Sequence, residues 1–213
     1  MTAPHVFRPD ATGTPVRVVV LASGTGSLLQ SLIAAAVDDF PARIVAVGVD
    51  RDCAAAGHAE AAGIPFFTVA LGAHPDRAAW DRALTDAVAA HTPDLIVSAG
   101  FMKILGPEFM GRFGGRIVNT HPALLPSFPG AHAVRDALAY GVKVTGSTVH
   151  LVDSGVDTGP VLAQEPVAVR EDDDEASLHE RIKTVERRLL VEVLAAVATR
   201  GVVSDGRKAV IPK

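Results

Sequence analysis

An α/β fold built on a mostly parallel sheet is predicted by three observations. Short β-branched runs such as Val16-Arg17-Val18-Val19-Val20-Leu21-Ala22 recur along the chain and are apolar throughout, as strands buried on both faces are. Stretches with apolar residues at helical spacing alternate with them. Near residue 120 this alternation gives way to a proline-rich loop and then to two strand-like runs separated by a turn.

In order, the first strand ends in Ser23-Gly24-Thr25-Gly26-Ser27, and Leu28, Leu29, Leu32, Ile33 and Ala36 predict a helix that Pro41 breaks. Arg43 to Val49 reads as a second strand and the alanine-rich Cys53 to Ala62 as a second helix, capped by Gly63. Pro65 to Val69 is a third strand. Asp76 to His91 is helical, with Trp80, Leu84 and Val88 on one face. Asp94 to Ala99 is a strand, Gly106 to Phe113 a short helix, and Arg116 to Asn119 another strand. His121 to Ala131 holds three prolines and a glycine, which makes a stiff loop. Val134 to Tyr140 is a short helix. Thr145–Val152 and Val161–Val169 suit an antiparallel pair. Acidic residues 172–175 precede a long helix over about 176–200, where they complement the helix dipole. Leu178, Ile182, Val185, Leu189, Val193 and Val197 form its buried stripe. The expected architecture is a Rossmann-like, twisted sheet with helices on both faces, C-terminal antiparallel strands and a long C-terminal helix. Residues 1–15 read as a flexible tail and 16–213 as one domain. Its halves are about 16–115 and about 116–213.

Composition narrows the function. Of 213 residues, 48% are hydrophobic and 21% charged, which suits a folded domain rather than a disordered one. The net charge of −4, with no basic stripe, argues against a nucleic-acid surface. No apolar run reaches the roughly 18–20 residues that span a bilayer, and Met1 to Pro15 lacks a signal-peptide pattern. A cytoplasmic enzyme acting on small molecules, with no membrane partner, is expected. The single Cys53 excludes an intramolecular disulfide and a cysteine zinc cluster.

Three places hold residues suited to chemistry. The glycine loop between strand and helix turns N–H groups outward at a helix N-terminus, which suits a phosphate. It lacks a Walker lysine and, with Leu29, the third glycine of a dinucleotide fingerprint, so a phosphomonoester fits better than NAD or ATP. Asn119-Thr120-His121-Pro122 closes a strand where ligands of open α/β sheets gather. Asn119 can donate to an oxyanion and His121 can carry a proton near neutral pH. Asp157 sits in a glycine-rich turn, where an Asx turn is the ordinary reading; His132 and His150 read as packing or surface groups.

Ordered motifs go further. Leu21-Ala22-Ser23-Gly24-Thr25-Gly26-Ser27, Ala99-Gly100-Phe101-Met102-Lys103-Ile104-Leu105, Asn119-Thr120-His121-Pro122-Ala123-Leu124-Leu125-Pro126, Phe128-Pro129-Gly130-Ala131-His132, Gly146-Ser147-Thr148-Val149-His150 and Asp157-Thr158-Gly159-Pro160-Val161 follow one another over about residues 16–200. In this order and spacing the chain resembles the glycinamide ribonucleotide formyltransferases, a group of folate-dependent formyltransferases in purine synthesis. The resemblance implies transfer of a formyl group from 10-formyltetrahydrofolate, as co-substrate, to the amine of glycinamide ribonucleotide, without a metal. It implies Asn119, His121 and Asp157 as the catalytic trio, with Asp157 keeping His121 charged and taking the proton of the attacking amine. It implies Gly24, Thr25, Gly26, Ser27, Lys183 and Glu186 on the ribotide. Lys183 and Glu186 are expected on a helix face away from the buried stripe. On the folate it implies Arg77, Met102, Lys103, Ile104, Leu105, Asn119, Asp153 and Asp157. The N-terminal half then serves the ribotide phosphate and the C-terminal half the chemistry and the folate. Lys103 stands where some relatives carry Arg, and Leu28 where some carry Asn. Some relatives pair, so a homodimer is compatible with the resemblance. The alternatives are a 10-formyltetrahydrofolate hydrolase and a non-catalytic folate- or nucleotide-binding relative. Methionyl-tRNA formyltransferase ranks lower because the sequence shows no basic RNA-contacting extension, and formyltetrahydrofolate deformylase because fifteen residues cannot supply its regulatory domain.

Overall fold

The computed structural model describes residues 5–10 and 12–213. Its frame is a seven-stranded sheet in the order β4-β3-β2-β5-β6-β7-β8. The strands are β2 (Val16–Ala22), β3 (Ala42–Val49), β4 (Phe66–Thr68), β5 (Leu95–Ser98), β6 (Ile117–His121), β7 (Val144–Leu151) and β8 (Val161–Ala168). The first five run parallel, while β7 pairs antiparallel with β6 and β8. The buried β-branched runs therefore become the central strands, as expected of a sheet covered on both faces.

Helices α1 (Ser27–Ala35), α2 (Ala54–Ala61) and α6 (Glu175–Arg200) are held on one face through a core of Val18, Val20, Val97, Val118, Leu29, Leu32, Leu190 and Val197. Helices α3 (Arg77–Ala89) and α4 (Pro107–Phe113) cover the other, where Trp80, Leu84, Phe109 and Phe113 pack on Val19, Leu21, Ile96 and Ile117. Helix α5 (Ala133–Tyr140) joins a smaller cluster in which Val134 and Val167 meet Leu178 and Ile182 of α6. Among the described residues, no helix is long and apolar enough to cross a membrane.

Local chemistry explains the element ends. Asp174 accepts from Ser177 N–H while the Ser177 hydroxyl accepts from Asp174 N–H, a reciprocal cap on α6. Gly201, with φ at 77°, closes that helix. Asp76 caps α3 by accepting from Ala79 N–H. Helix α1 ends at Ala35, before Pro41 is reached, in a turn where Asp38 has a positive φ.

One expectation changes. Residues 1–15 read as a tail, yet β1 (His5–Phe7) pairs with β9 (Val202–Ser204), which also pairs with β10 (Ala209–Val210). Phe7 is buried against the main core. The strand's partner lies at the other end of the chain, so no local pattern announces it. Residues 1–4 and 11 of that segment lie outside the described residues.

The order of the strands sets the site. From β2 the chain moves outward through β3 and β4, then returns to build β5 and β6 on the other side. The loops after β2 and β5 consequently part at their carboxyl ends, which opens a crevice there.

Candidate active site

A cleft of about 730 Å³ occupies that crevice. Gly24, Thr25, Gly26 and Ser27 line it from the end of β2, and Met102, Lys103, Ile104 and Leu105 from the end of β5. Asn119 and His121 come from β6, Asp153 and Asp157 from the turn after β7, and Lys183 and Glu186 from α6. Arg77 is the one residue proposed from sequence for either substrate that does not line it.

Strand register arranges the polar groups. Ser98 pairs with Asn119, and Asn119 with His150, so these three lie in one row across β5, β6 and β7. Alternation along β6 sends Asn119 and His121 to one face of the sheet and Thr120 to the other. Thr120 there donates to Glu186 of α6. One strand end thus serves both sides of the cleft.

The Asn119 amide is oriented by His150. His150 Nδ1 lies 2.9 Å from the Leu151 carbonyl, which makes that nitrogen the donor. Its Nε2 then accepts from Asn119 Nδ2 at 3.2 Å. Burial holds the His150 imidazole below its ordinary range, against opposing pulls from the Leu151 carbonyl and Asp157, which favours this neutral form. One N–H of Asn119 remains for the cleft.

His121 has acceptors on both sides. Its Nε2 lies 2.7 Å from the Phe128 carbonyl and its Nδ1 3.3 Å from Asp157 Oδ2. Asp157 Oδ2 also accepts from Gly130 N–H at 2.8 Å, and Oδ1 lies 3.8 Å from His150 Nε2. Phe128 and Asp157 both have positive φ, 54° and 55°. Such backbone is costly for a residue other than glycine and persists where its surroundings over-determine it. Two of the four described non-glycine residues with positive φ are thus the two that grip His121.

The glycine loop opens helix α1 at the edge of the cleft. Gly26 is the N-cap of α1, with φ at 72° and no side-chain cap, so the first N–H groups of the helix are left without one. A Cβ at Gly26 would stand 2.9 Å from His58 Cδ2 and 3.0 Å from Ala55 Cα. Helix α2 holds the loop from behind: Ala55 N–H donates to Gly24 O at 3.2 Å, and His58 Nε2 lies 3.0 Å from Thr25 O.

Four of these residues sit or are engaged differently from expectation. Glu186 was placed on a helix face away from the buried stripe, but it is only 5% exposed. Burial pushes its carboxyl up to about 7, against weaker pulls from Thr120, Lys183 and Arg187. The wide apolar face of α6 packs on the sheet and takes Glu186 with it. Lys183 keeps its half-exposed place and reaches Glu180 at 3.6 Å. Arg77 donates to the Ile104 carbonyl and stacks 5.3 Å above the Trp80 ring. One turn on, Asp81 accepts from Gly106 N–H and Glu108 N–H. Helix α3 thereby fixes the far end of the 100–105 segment. Lys103 Nζ is bound to Asp50, 2.7 Å away. Asp153 closes its own turn by accepting from Gly155 N–H and Thr158 Oγ1.

Similarity to known proteins follows the same lines. A family model described as formyl transferase matches residues 16–194. The chain belongs to the formyl transferase family. It is 69% identical over 195 residues to the phosphoribosylglycinamide formyltransferase of Mycobacterium tuberculosis, covering 92% of this chain and 91% of that protein. The crystal structure of glycinamide ribonucleotide transformylase 1 from Symbiobacterium toebii superposes with a TM-score of 0.91 at 38% identity, covering 93% and 95% of the two chains. A formyltetrahydrofolate deformylase from Pseudomonas syringae superposes at 0.87 with 27% identity, over 94% of this chain and 67% of that one.

Sequence reasoning missed two residues of this formyl transferase cleft. By sequence His150 is only a lesser candidate that reads as a packing or surface group, although its pairing with Asn119 is fixed by the β6–β7 register. His179 precedes Lys183 and Glu186 on α6 by one and two helical turns, and lines the same cleft. Its spacing with them was the available signal.

Proposed function

We propose that the chain transfers a formyl group from 10-formyltetrahydrofolate to the amine of glycinamide ribonucleotide, yielding formylglycinamide ribonucleotide and tetrahydrofolate in purine synthesis. The observation that carries this reading is the sharing of one cleft by the uncapped glycine loop and the Asn119–His121–Asp157–His150 cluster.

The ribotide phosphate rests on the N–H groups of Gly24 to Ser27, with Lys183 adding positive charge. Glu186 accepts from ribose hydroxyls. The folate lies along Met102, Ile104 and Leu105 and the 153–157 turn. Met102 and Ile104 expose 60% and 61% of their surface, apolar area suited to a flat aromatic ring. Arg77 supports that wall through the Ile104 carbonyl. Each substrate draws on both halves of the chain.

The chemistry is an attack by the amine nitrogen on the formyl carbon. A carbon–nitrogen bond forms, and the carbonyl oxygen takes up negative charge. The free N–H of Asn119 donates to it. His121, doubly protonated, satisfies the Phe128 carbonyl and Asp157 at once and adds its positive charge beside the same oxygen. Asp157 accepts the proton that the attacking amine sheds, through water. As the intermediate collapses, the bond to the folate nitrogen breaks and the proton held by Asp157 passes through the same water to that nitrogen, which leaves both His121 and Asp157 as they began. Groups placed in this way spare the reaction most of its solvent reorganisation.

The test is the absorbance of the folate donor with purified protein. Change that requires the ribotide supports transfer. Equal change without ribotide supports hydrolysis, the reading that likeness to the deformylase favours. Donor binding with no change supports a non-catalytic module.

A further inference from the structure

Asp50 closes β3 beneath the cleft, with its side chain 1% exposed. Lys103 Nζ lies 2.7 Å from Oδ2, and Arg51 reaches the same carboxylate at 2.9 Å and 3.2 Å. The Ser23 hydroxyl donates to it as well. Ser23 Oγ in turn accepts from Met102 N–H at 2.9 Å. Burial alone pushes the Asp50 carboxyl up, but the bonds from Arg51, Lys103 and Ser23 outweigh it and hold the group at about 2.

The partners belong to different loops. Ser23 opens the glycine loop after β2, whereas Met102 and Lys103 belong to the segment after β5. One buried carboxylate therefore stands where the two walls of the cleft meet. Lys103 cannot serve two anions equally. A carboxylate on a bound folate reaches out to water, where screening weakens its pull. Asp50 is buried, and losing the lysine would leave it to Ser23 and to an arginine whose side chain is 52% exposed.

We propose that Asp50 is a positioning residue that ties the glycine loop to the 100–105 segment, and that it keeps Lys103 as a strut between them instead of a ligand for the folate's carboxylates. This rests on the assignment of those two walls to ribotide and folate given above. Two consequences follow. Loosening the strut weakens both substrates, although neither touches Asp50. Removing Lys103 weakens folate donors with and without a glutamate tail alike.

The experiment is steady-state kinetics on Asp50→Asn, Lys103→Met and the double variant, with ribotide and two donors, 10-formyltetrahydrofolate and the tail-less 10-formyltetrahydropteroate. Each single variant is expected to raise the KM of ribotide and donor by about three- to tenfold, and Lys103→Met to do so equally for both donors. The double variant is expected to be no worse than the worse single one, since both break one interaction. A Lys103→Met penalty about tenfold larger for the tailed donor would overturn the proposal, because it makes Lys103 a tail ligand. So would an unchanged ribotide KM. If Asp50→Asn does not fold, the two-donor comparison on Lys103→Met decides alone. A native protein that transfers no formyl group removes the reading of the site and this proposal with it, whereas a tail-selective loss in an active enzyme removes the strut alone.

Discussion

Asp157 Oδ2 lies 3.3 Å from His121 Nδ1 across 36 residues of chain, and the same oxygen accepts the N–H of Gly130. The pair ties the end of β6 to the turn after β7 and to the proline-rich loop. The left-handed backbone of Asp157 aims its carboxylate inward, and aspartate is among the few residues besides glycine that adopt it at modest cost. The proposed mechanism places this pair beside the formyl oxygen.

His150 orients Asn119, so His150→Leu removes the acceptor that fixes the amide. With an apolar side chain there, Asn119 can rotate without penalty. Turnover is expected to fall about tenfold, short of the roughly 10²–10³ that removing such a donor outright costs. Both KM values should stay near native, because the bond acts on the developing oxyanion. Unchanged kcat in this variant would show that Asn119 needs no partner.

Gly26→Val separates the two substrates. Valine disfavours φ near 72°, and its Cβ would press on His58 and Ala55. The loop must shift, at a cost of about 1–2 kcal/mol. The ribotide KM is expected to rise far more than the donor KM. Equal rises in titrations of each substrate would remove the loop's phosphate role.

Glu186 gives the stability a pH dependence. Burial raises its carboxyl from 4.5 to about 7, so between these values the folded protein holds a proton that the unfolded chain releases. The stability this group contributes is full below about 4.5 and is lost as pH rises through about 7. Glu186→Gln carries no such proton. Between pH 4.5 and 7 the native Tm should fall relative to the variant's by several degrees. Parallel Tm profiles across that range would contradict the burial assigned to Glu186.

Much of the fold is legible because burial on both faces leaves a local mark. Val16–Ala22 reads as a strand from its own side chains and forms one with those bounds. The β7–β8 pair is equally plain, since a single turn-rich segment joins it. The small sheet of β1, β9 and β10 is not legible, for its strands have two or three residues and β1 finds its partner β9 only at the other end of the chain. In the site, Asn119 and His121 stand out at a strand end, but Asp157 looks like any turn aspartate until the ordered motifs place it. Asp50 and His150 stay hidden for one reason. Each acts through a partner on a neighbouring strand or loop, and Asp50-Arg51-Asp52 by itself is an ordinary polar turn.

The most direct test of the central claim is the turnover of Asp157→Asn at saturating ribotide and 10-formyltetrahydrofolate, with Tm measured alongside. The change keeps the side chain's shape and the acceptor for Gly130 while removing the charge beside His121. The expected result is a folded protein with Tm near native and kcat lower by about 10²–10⁴. A folded variant that transfers formyl groups at close to the native kcat would contradict the role given to Asp157, and with it the division of labour between Asn119, His121 and Asp157.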